Sequence, residues 1–282
     1  MFNNYIATKD IVAYDATVKR LRGFFQKKGF VEAHTQDRLS ILAACEDPTT
    51  LATYNYAGQT WPLPQTGQMW LEYELLSKPQ LPGVYCISTS FRQEPNPIPG
   101  RHNIIFPMFE FETHGGIGEL RVPESELCEH LGFSQNQIHK SYDELCAHYD
   151  TDELTADHET KMIKDFSPVT FIEMFPQKTS PFWNMRKNGD HSHKIDVILY
   201  GQETIGSAER STNAEEMREE FHTISSGQYA QTLFNIFGKE RVQKELDEFL
   251  TFDFFPRCGG GIGLTRLIRA LNLLASSQST SS

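Results

Sequence analysis

Arg92 and Glu94 stand two residues apart at the end of an apolar run, residues 84–94. After a loop rich in proline and glycine come Arg101, His102 and the alternating stretch Phe106-Pro-Met-Phe-Glu110-Phe-Glu112. Side chains of a strand alternate between its faces, so Arg92 shares a face with Glu94, and Phe106, Glu110 and Glu112 share a face of the returning strand. A guanidinium, carboxylates and one aromatic ring then converge on a hairpin, which reads as a nucleotide site. Near the other end, Cys258-Gly-Gly-Gly-Ile-Gly263 runs into an amphipathic segment. It reads as a glycine-rich turn whose following arginine, Arg266, reaches the same pocket.

Other residues are ambiguous by themselves. Asp196 and Glu203 offer the hard carboxylate oxygens that Mg²⁺ takes beside phosphate and water, yet two acids seven residues apart are commonly just solvated. Thr66 and Gln68 read as a polar cap opening a helix. His191 and His193 alternate without a third ligand and read as loop, and Cys258 reads as a buried thiol.

The elements that position these groups follow from pattern. Asp10 caps a predicted helix with Ile11, Tyr14, Val18, Leu21 and Phe25 on its apolar face and Gly29 just past its end. Residues 67–78 read as helix, 84–94, 105–112 and 195–200 as strands, 123–165 as a helical insertion without chemistry of its own, and 214–250 as helix. A Ser/Thr/Gln tail, 276–282, buries nothing and is expected to be disordered. The fold class is α+β, a mostly antiparallel sheet of about six or seven strands flanked by helices.

A chain of 282 residues with net charge -11 and pI near 5.4 lacks the footprint of non-specific nucleic-acid binding, although a local basic patch is compatible with it. Five scattered cysteines without framework spacing read as reduced thiols in the cytoplasm. No segment approaches the ~20 apolar residues that span a bilayer, so no membrane partner is expected.

Taken together, the two glycine- and arginine-bearing segments resemble motifs two and three of the class II aminoacyl-tRNA synthetases, and the likeness covers nearly the whole chain, about residues 9–274 of domain 1–275 with its insertion at about 117–165. Within that family the aspartyl/asparaginyl branch matches three further stretches. Leu63-Pro-Gln-Thr66-Gly-Gln68 falls on the segment that holds the substrate's α-amino group. Asp196 through Arg210 falls on the segment with two metal-binding carboxylates and a side-chain-gripping arginine. Glu72, one residue after Leu71, is similar to the asparaginyl pattern, where aspartyl members carry a lysine in place of Leu71. A carboxylate accepts from an amide and repels another carboxylate, so Glu72 tips recognition toward asparagine.

The resemblance implies roles residue by residue. Arg92 takes the α-phosphate of ATP, Glu94 the adenine amino group, and Arg101 or His102 the terminal phosphate. Phe106 and Arg266 sandwich the adenine, with Arg92 and Arg266 the catalytic cations. Asp196 and Glu203 hold Mg²⁺, while Thr66, Gln68, Glu72, Glu110 and Arg210 bind the amino acid. It also implies an aspartate or asparagine substrate and a homodimer. Three positions depart from the pattern: Gln36 replaces the motif-one proline, Ile105 a glutamate and Thr265 an acid.

The family's anticodon-binding barrel has no counterpart here, so tRNA is not the expected partner. The leading expectation is a free-standing ligase that adenylates aspartate and passes the acyl group to ammonia, giving asparagine, AMP and pyrophosphate. The alternatives are a paralogue that activates Asn or Asp for another amine or an unusual tRNA, and a non-catalytic amino-acid or nucleotide sensor.

Overall fold

The computed structural model describes residues 10–35, 39–41, 47–98, 101–133, 136–179 and 182–279. Gln36 lies outside them, as do the last residues of the expected tail, 280–282. Helix α1 (Ile11–Lys27) starts where Asp10 accepts from the Val12 and Ala13 amides at 3.1 and 2.9 Å, and the chain turns away at Gly29 with φ +80°. Val18, Leu21 and Phe25 are buried as the periodicity predicts, whereas Ile11, in the first turn, is 76% exposed.

Strand β1 (Val31–Glu32) precedes a separate hairpin of β2 (Thr53–Tyr56) and β3 (Gln59–Pro62), then α2 (Gln68–Ser77), and the long strands β4 (Gly83–Phe91) and β5 (Ile105–His114). Next come α3 (Ile117–His130), β6 (Ile138–Ser141), α4 (Tyr142–Tyr149) and α5 (Ala156–Asp165), then β7 (Val169–Pro176), β8 (Lys187–Asn188), β9 (His191–Leu199) and β10 (Gln202–Glu209). Helices α6 (Ala214–Thr223), α7 (Gln228–Phe237) and α8 (Lys239–Phe249) lead to β11 (Arg257–Gly263) and α9 (Leu264–Ser279).

Nine of these strands form one sheet in the order β1-β4-β5-β11-β10-β9-β7-β6, with β8 on β9. The sheet is mixed and wider than the sequence predicts: β1–β4 and β6–β7 pair in parallel. The extra width has a local cause. Residues 138–141 sit inside the segment read as a helical insertion, where four residues are too few to show a period. That segment is also not peripheral throughout, because α3 sends Leu120, Leu127 and Cys128 into the main core. Residues 276–279 continue α9, since serines at an exposed helix end keep the backbone ladder and bond back to preceding carbonyls.

Alternation divides the sheet's two faces. On β5, Phe109 and Phe111 point to the layer of α1, α3 and α9, where Phe25 stacks on Phe109 with ring centroids 5.1 Å apart. Glu110 and Glu112 therefore point to the opposite face. The glycine run is not a turn but the central strand β11, held between β5 and β10. Its composition answers to crowding: a Cβ on Gly259 would stand 2.3 Å from the Phe111 carbonyl oxygen, one on Gly260 2.5 Å from Ser207 Cβ, and one on Gly261 2.7 Å from Met108 Cε.

Candidate active site

One cross-strand row sets the geometry. Cys86, Glu110, Gly261, Gly206 and Asp196 are successive partners across β4, β5, β11, β10 and β9. Two glycines without side chains thus lie between two acids, and the sheet has a trough there. Over it opens a cleft of about 260 Å³ lined by Arg92, Glu94, Arg101, His102, Phe106, Glu203 and Arg266 among others. Every residue that the sequence assigns to nucleotide binding borders this one cleft, although Arg92 and Arg266 stand 174 positions apart in the chain (266 − 92).

Arg92 and Glu94 follow the end of β4, and the Arg92 guanidinium carbon lies 5.6 Å from the Phe106 ring centroid. Such a cation over a ring face leaves the guanidinium edge for other partners. Arg266, on the first turn of α9, donates from Nη1 to the Glu203 carbonyl at 2.8 Å, and the same nitrogen lies 3.6 Å from Glu203 Oε2. The Ile98 amide donates to His102 Nδ1 at 3.4 Å, which leaves Nε2 as the donor. Burial first, with Arg266, Arg101 and Arg92 adding and Glu94 opposing, holds His102 below its ordinary pKa. Three arginines against two glutamates give the lining a local positive surplus within an acidic chain.

The two carboxylates proposed for metal meet across Gly206. A Cβ there would stand 3.2 Å from Glu203 Oε1 and 3.4 Å from Asp196 Oδ1. Asp196 Oδ2 accepts from Lys194 Nζ at 2.7 Å, while the buried Oδ1 has no hydrogen-bond partner among the described residues. Burial, opposed by Lys194 and reinforced by Glu203, pushes Asp196 up to about 7. Glu203 goes the other way: burial pushes it up, but Arg266, Lys194, Arg92 and Arg101 outweigh that and hold it low. Among the described residues no group of three or more His, Cys, Asp or Glu side chains is placed to hold a metal ion alone. An orphaned carboxylate oxygen beside an ionised carboxylate does fit a hard cation that takes its other ligands from phosphate and water.

Beyond the cleft, on the same face, the residues that the sequence assigns to the amino acid form a buried polar network. Arg210 donates from Nε to Glu112 Oε1 at 3.2 Å and from Nη2 to Glu112 Oε2 at 3.1 Å and Gln68 Oε1 at 2.9 Å. Arg257 donates from Nε and Nη2 to Glu72 Oε2 at 3.0 and 2.7 Å, and Asn184 Nδ2 donates to Glu72 Oε1 at 2.9 Å. Nearby Glu110 accepts from the Gly67 amide at 2.8 Å and from the Thr66 and Ser88 hydroxyls. Burial pushes Glu112 up to about 7, with Arg210 opposing and Glu72 reinforcing.

A model of the family described as tRNA synthetases class II (D, K and N) matches residues 7–279. The chain belongs to that family. An aspartate–tRNA(Asp) ligase of Pyrobaculum aerophilum is 30% identical to this class II chain over 124 residues, covering 43% of it and 25% of the relative. Among solved structures, the asparaginyl-tRNA synthetase of Pyrococcus horikoshii complexed with asparaginyl-adenylate superposes with a TM-score of 0.75 at 18% identity, covering 93% of this chain and 64% of that one. The Entamoeba histolytica asparaginyl-tRNA synthetase, also with asparaginyl-adenylate, gives 0.72 at 17% identity, covering 93% and 63%. At these identities the structures establish the fold, and the class II chain spans under two thirds of their length.

Several members of the network were not singled out in the sequence. Arg257 was legible in principle, because period two along β11 puts it on the face of Gly259 and Gly261. Asn184 and Lys194 carried no local signal. His191 and His193 lie on β9, not in a loop: His193 Nδ1 sits 2.7 Å from Glu209 and His191 Nε2 3.0 Å from Asp143. Cys258 is fully buried, and burial raises its thiol pKa.

Proposed function

We propose that this class II chain activates the α-carboxylate of asparagine with Mg·ATP, forming asparaginyl-adenylate and pyrophosphate, for transfer to an acceptor hydroxyl or amine. The carrying observation is the charge balance beside the cleft. Arg210 and Arg257 oppose Glu72 and Glu112, and the four side chains have no exposed surface. A neutral amide adds no charge to this set and finds both acceptors and donors in it. A β-carboxylate brings a third negative charge, which must draw a proton onto Glu112 or lose affinity. In the ammonia-dependent conversion the β-carboxylate must face the α-phosphorus, so the α-carboxylate brings the same extra charge to the buried set, and that reading is the less supported one.

The cleft's own groups account for the first step. In this reading Arg92 neutralises the α-phosphate, Phe106 and Arg266 hold the adenine ring between them, and Glu94 accepts from its amino group, which their shared place in the cleft lining supports. Arg101 and the Nε2–H of His102 bind the terminal phosphates. Glu110, with Thr66 and Gln68, fixes the α-ammonium so that a carboxylate oxygen faces the α-phosphorus. That oxygen forms the new P–O bond as the bond to the bridging oxygen of the β-phosphate breaks, and the electron pair leaves on pyrophosphate. No protein nucleophile is required. Asp196 and Glu203 would hold Mg²⁺, which when bound neutralises charge on the phosphate oxygens.

The test is pyrophosphate exchange by the purified protein with Mg·ATP and either asparagine or aspartate, with and without ammonium and total tRNA. Asparagine-dependent exchange without ammonium is the expected result. AMP and asparagine formed only from aspartate plus ammonium would replace this reading with the ammonia ligase. Absence of exchange with either amino acid would leave a sensor.

A further inference from the structure

The segment 123–165 has no part in the chemistry above, yet one of its side chains touches two separate pieces of the nucleotide cleft. Glu159 Oε2, in the first turn of α5, accepts from Arg101 Nη2 at 2.5 Å and from the Glu203 backbone amide at 2.9 Å. Both partners of the ion pair are largely shielded, with side chains 19% and 18% exposed. Helix α5 is seated firmly on the β9–β10 turn. Gly201 there has φ +74°, and a Cβ on it would stand 2.9 Å from Thr160 Cα and 2.8 Å from Ile163 Cδ1. The turn thus needs glycine both for its left-handed backbone and for the approach of the helix.

The geometry has a direct consequence for Arg101. It follows a proline- and glycine-rich loop, so its long side chain would otherwise sample many rotamers before meeting a ligand. A guanidinium carries five N–H donors in a rigid fork. Glu159 engages Nη2, and no described residue hydrogen-bonds to Nε or Nη1, so the fork is oriented without being saturated. The Glu203 amide in turn pins the Glu159 carboxylate, tying the loop arginine to the strand that bears the metal-binding acid.

We infer that Glu159 is a positioning residue that presents Arg101 to the terminal phosphates of the nucleotide. The inference rests on the Mg·ATP reading of the cleft. Its sign is specific: were Glu159 merely a rival of phosphate for Arg101, removing it would improve ATP binding. Were it only a packing residue, its loss would weaken ATP and AMP alike.

The experiment compares full-length wild type, Glu159→Ala, Glu159→Gln, Arg101→Ala and the Glu159→Ala/Arg101→Ala pair for ATP and AMP affinity and for KM against kcat in pyrophosphate exchange. Glu159→Ala is expected to weaken ATP about ten-fold, as loss of one charge-assisted contact does, with AMP affinity held within about two-fold. Glu159→Gln, which keeps an acceptor for both partners, should recover part of the loss. The double variant should bind ATP no worse than Arg101→Ala, because the two residues act as one unit. Unchanged or improved ATP binding in Glu159→Ala, or parallel losses for ATP and AMP, overturns the inference. A wild type that binds neither nucleotide overturns the reading beneath it instead.

Discussion

The Arg210 guanidinium faces the Glu112 carboxylate with no exposed side-chain surface on either, Nε 3.2 Å from Oε1 and Nη2 3.1 Å from Oε2. Arg210 Nε also lies 3.7 Å from Glu72 Oε1, so two acids depend on Arg210 and Arg257 together for their compensation. Removing one partner of a buried pair leaves a charge uncompensated in a poorly polarisable interior, which costs more than the pair itself contributes.

Arg210→Ala is therefore expected to lose stability by about 3–5 kcal/mol, read as a lowered urea midpoint. Arg210→Met combined with Glu112→Gln, which removes both charges while keeping volume, should recover most of that loss. The double variant should still bind ATP, since neither side chain borders the nucleotide cleft. It should lose amino-acid-dependent pyrophosphate exchange. Equal loss of ATP binding would move Arg210 into the nucleotide site and undo its assignment to the amino acid.

Two glycines of the central strands, Gly206 on β10 and Gly259 on β11, give opposite expectations from the same substitution. An alanine methyl at Gly206 would sit 3.2 Å from Glu203 Oε1 and 3.4 Å from Asp196 Oδ1, against carboxylates that can rotate away. Gly206→Ala should fold with a melting temperature within a few degrees of wild type, but should need about ten-fold more Mg²⁺ for half-maximal turnover, because the carboxylates must part. At Gly259 the methyl would meet the Phe111 carbonyl oxygen at 2.3 Å and Glu112 Oε2 at 2.0 Å. Backbone in the middle of a sheet does not rotate away, so Gly259→Ala should be destabilised by roughly 3 kcal/mol or more. A Mg²⁺ requirement unchanged in Gly206→Ala would remove Asp196 and Glu203 from the metal.

These glycines also mark where the sequence was readable and where it was not. The hairpin of β4 and β5 with its Arg92 and Phe106, and the cap at Asp10, follow from period two and capping chemistry, which are local signals, whereas the approach of Arg266 to them is implied by the family resemblance. The glycine run was misread as a turn because glycine permits a turn as readily as it permits close strand packing, and only the neighbours, Phe111, Ser207 and Met108, decide between them. Strand β6 was missed because its pairing with β7 is a long-range event that four residues cannot announce. The same holds for Asn184 and Glu159, whose partners lie 112 and 58 positions away in the chain. Motif spacing reports what meets the ligand, and says much less about what holds those groups in place.

Glu124 supplies a prediction about the molecule as a whole. It lies on α3 with 1% exposure, beside Ser207 and within the fields of Asp196 and Glu173. Burial, reinforced by those two acids and opposed by the Ser207 hydroxyl, pushes its carboxyl up to about 8. In the unfolded chain the same group ionises near its ordinary value of about 4.3. Between those two values the native state keeps a proton that the unfolded state has released, so stability falls as pH rises. The contribution is complete below the unfolded pKa and is lost progressively up to the folded one. Asp196, raised to about 7, and Glu112, also raised to about 7, slope the same way. Glu124→Gln keeps the shape and cannot ionise, so it should match wild type near pH 4.5 and exceed it at pH 9 by roughly 2–4 kcal/mol. Urea unfolding at those two pH values reads the difference directly. A gap between variant and wild type that does not widen with pH would mean that Glu124 already ionises freely, through water or a counter-charge reaching α3.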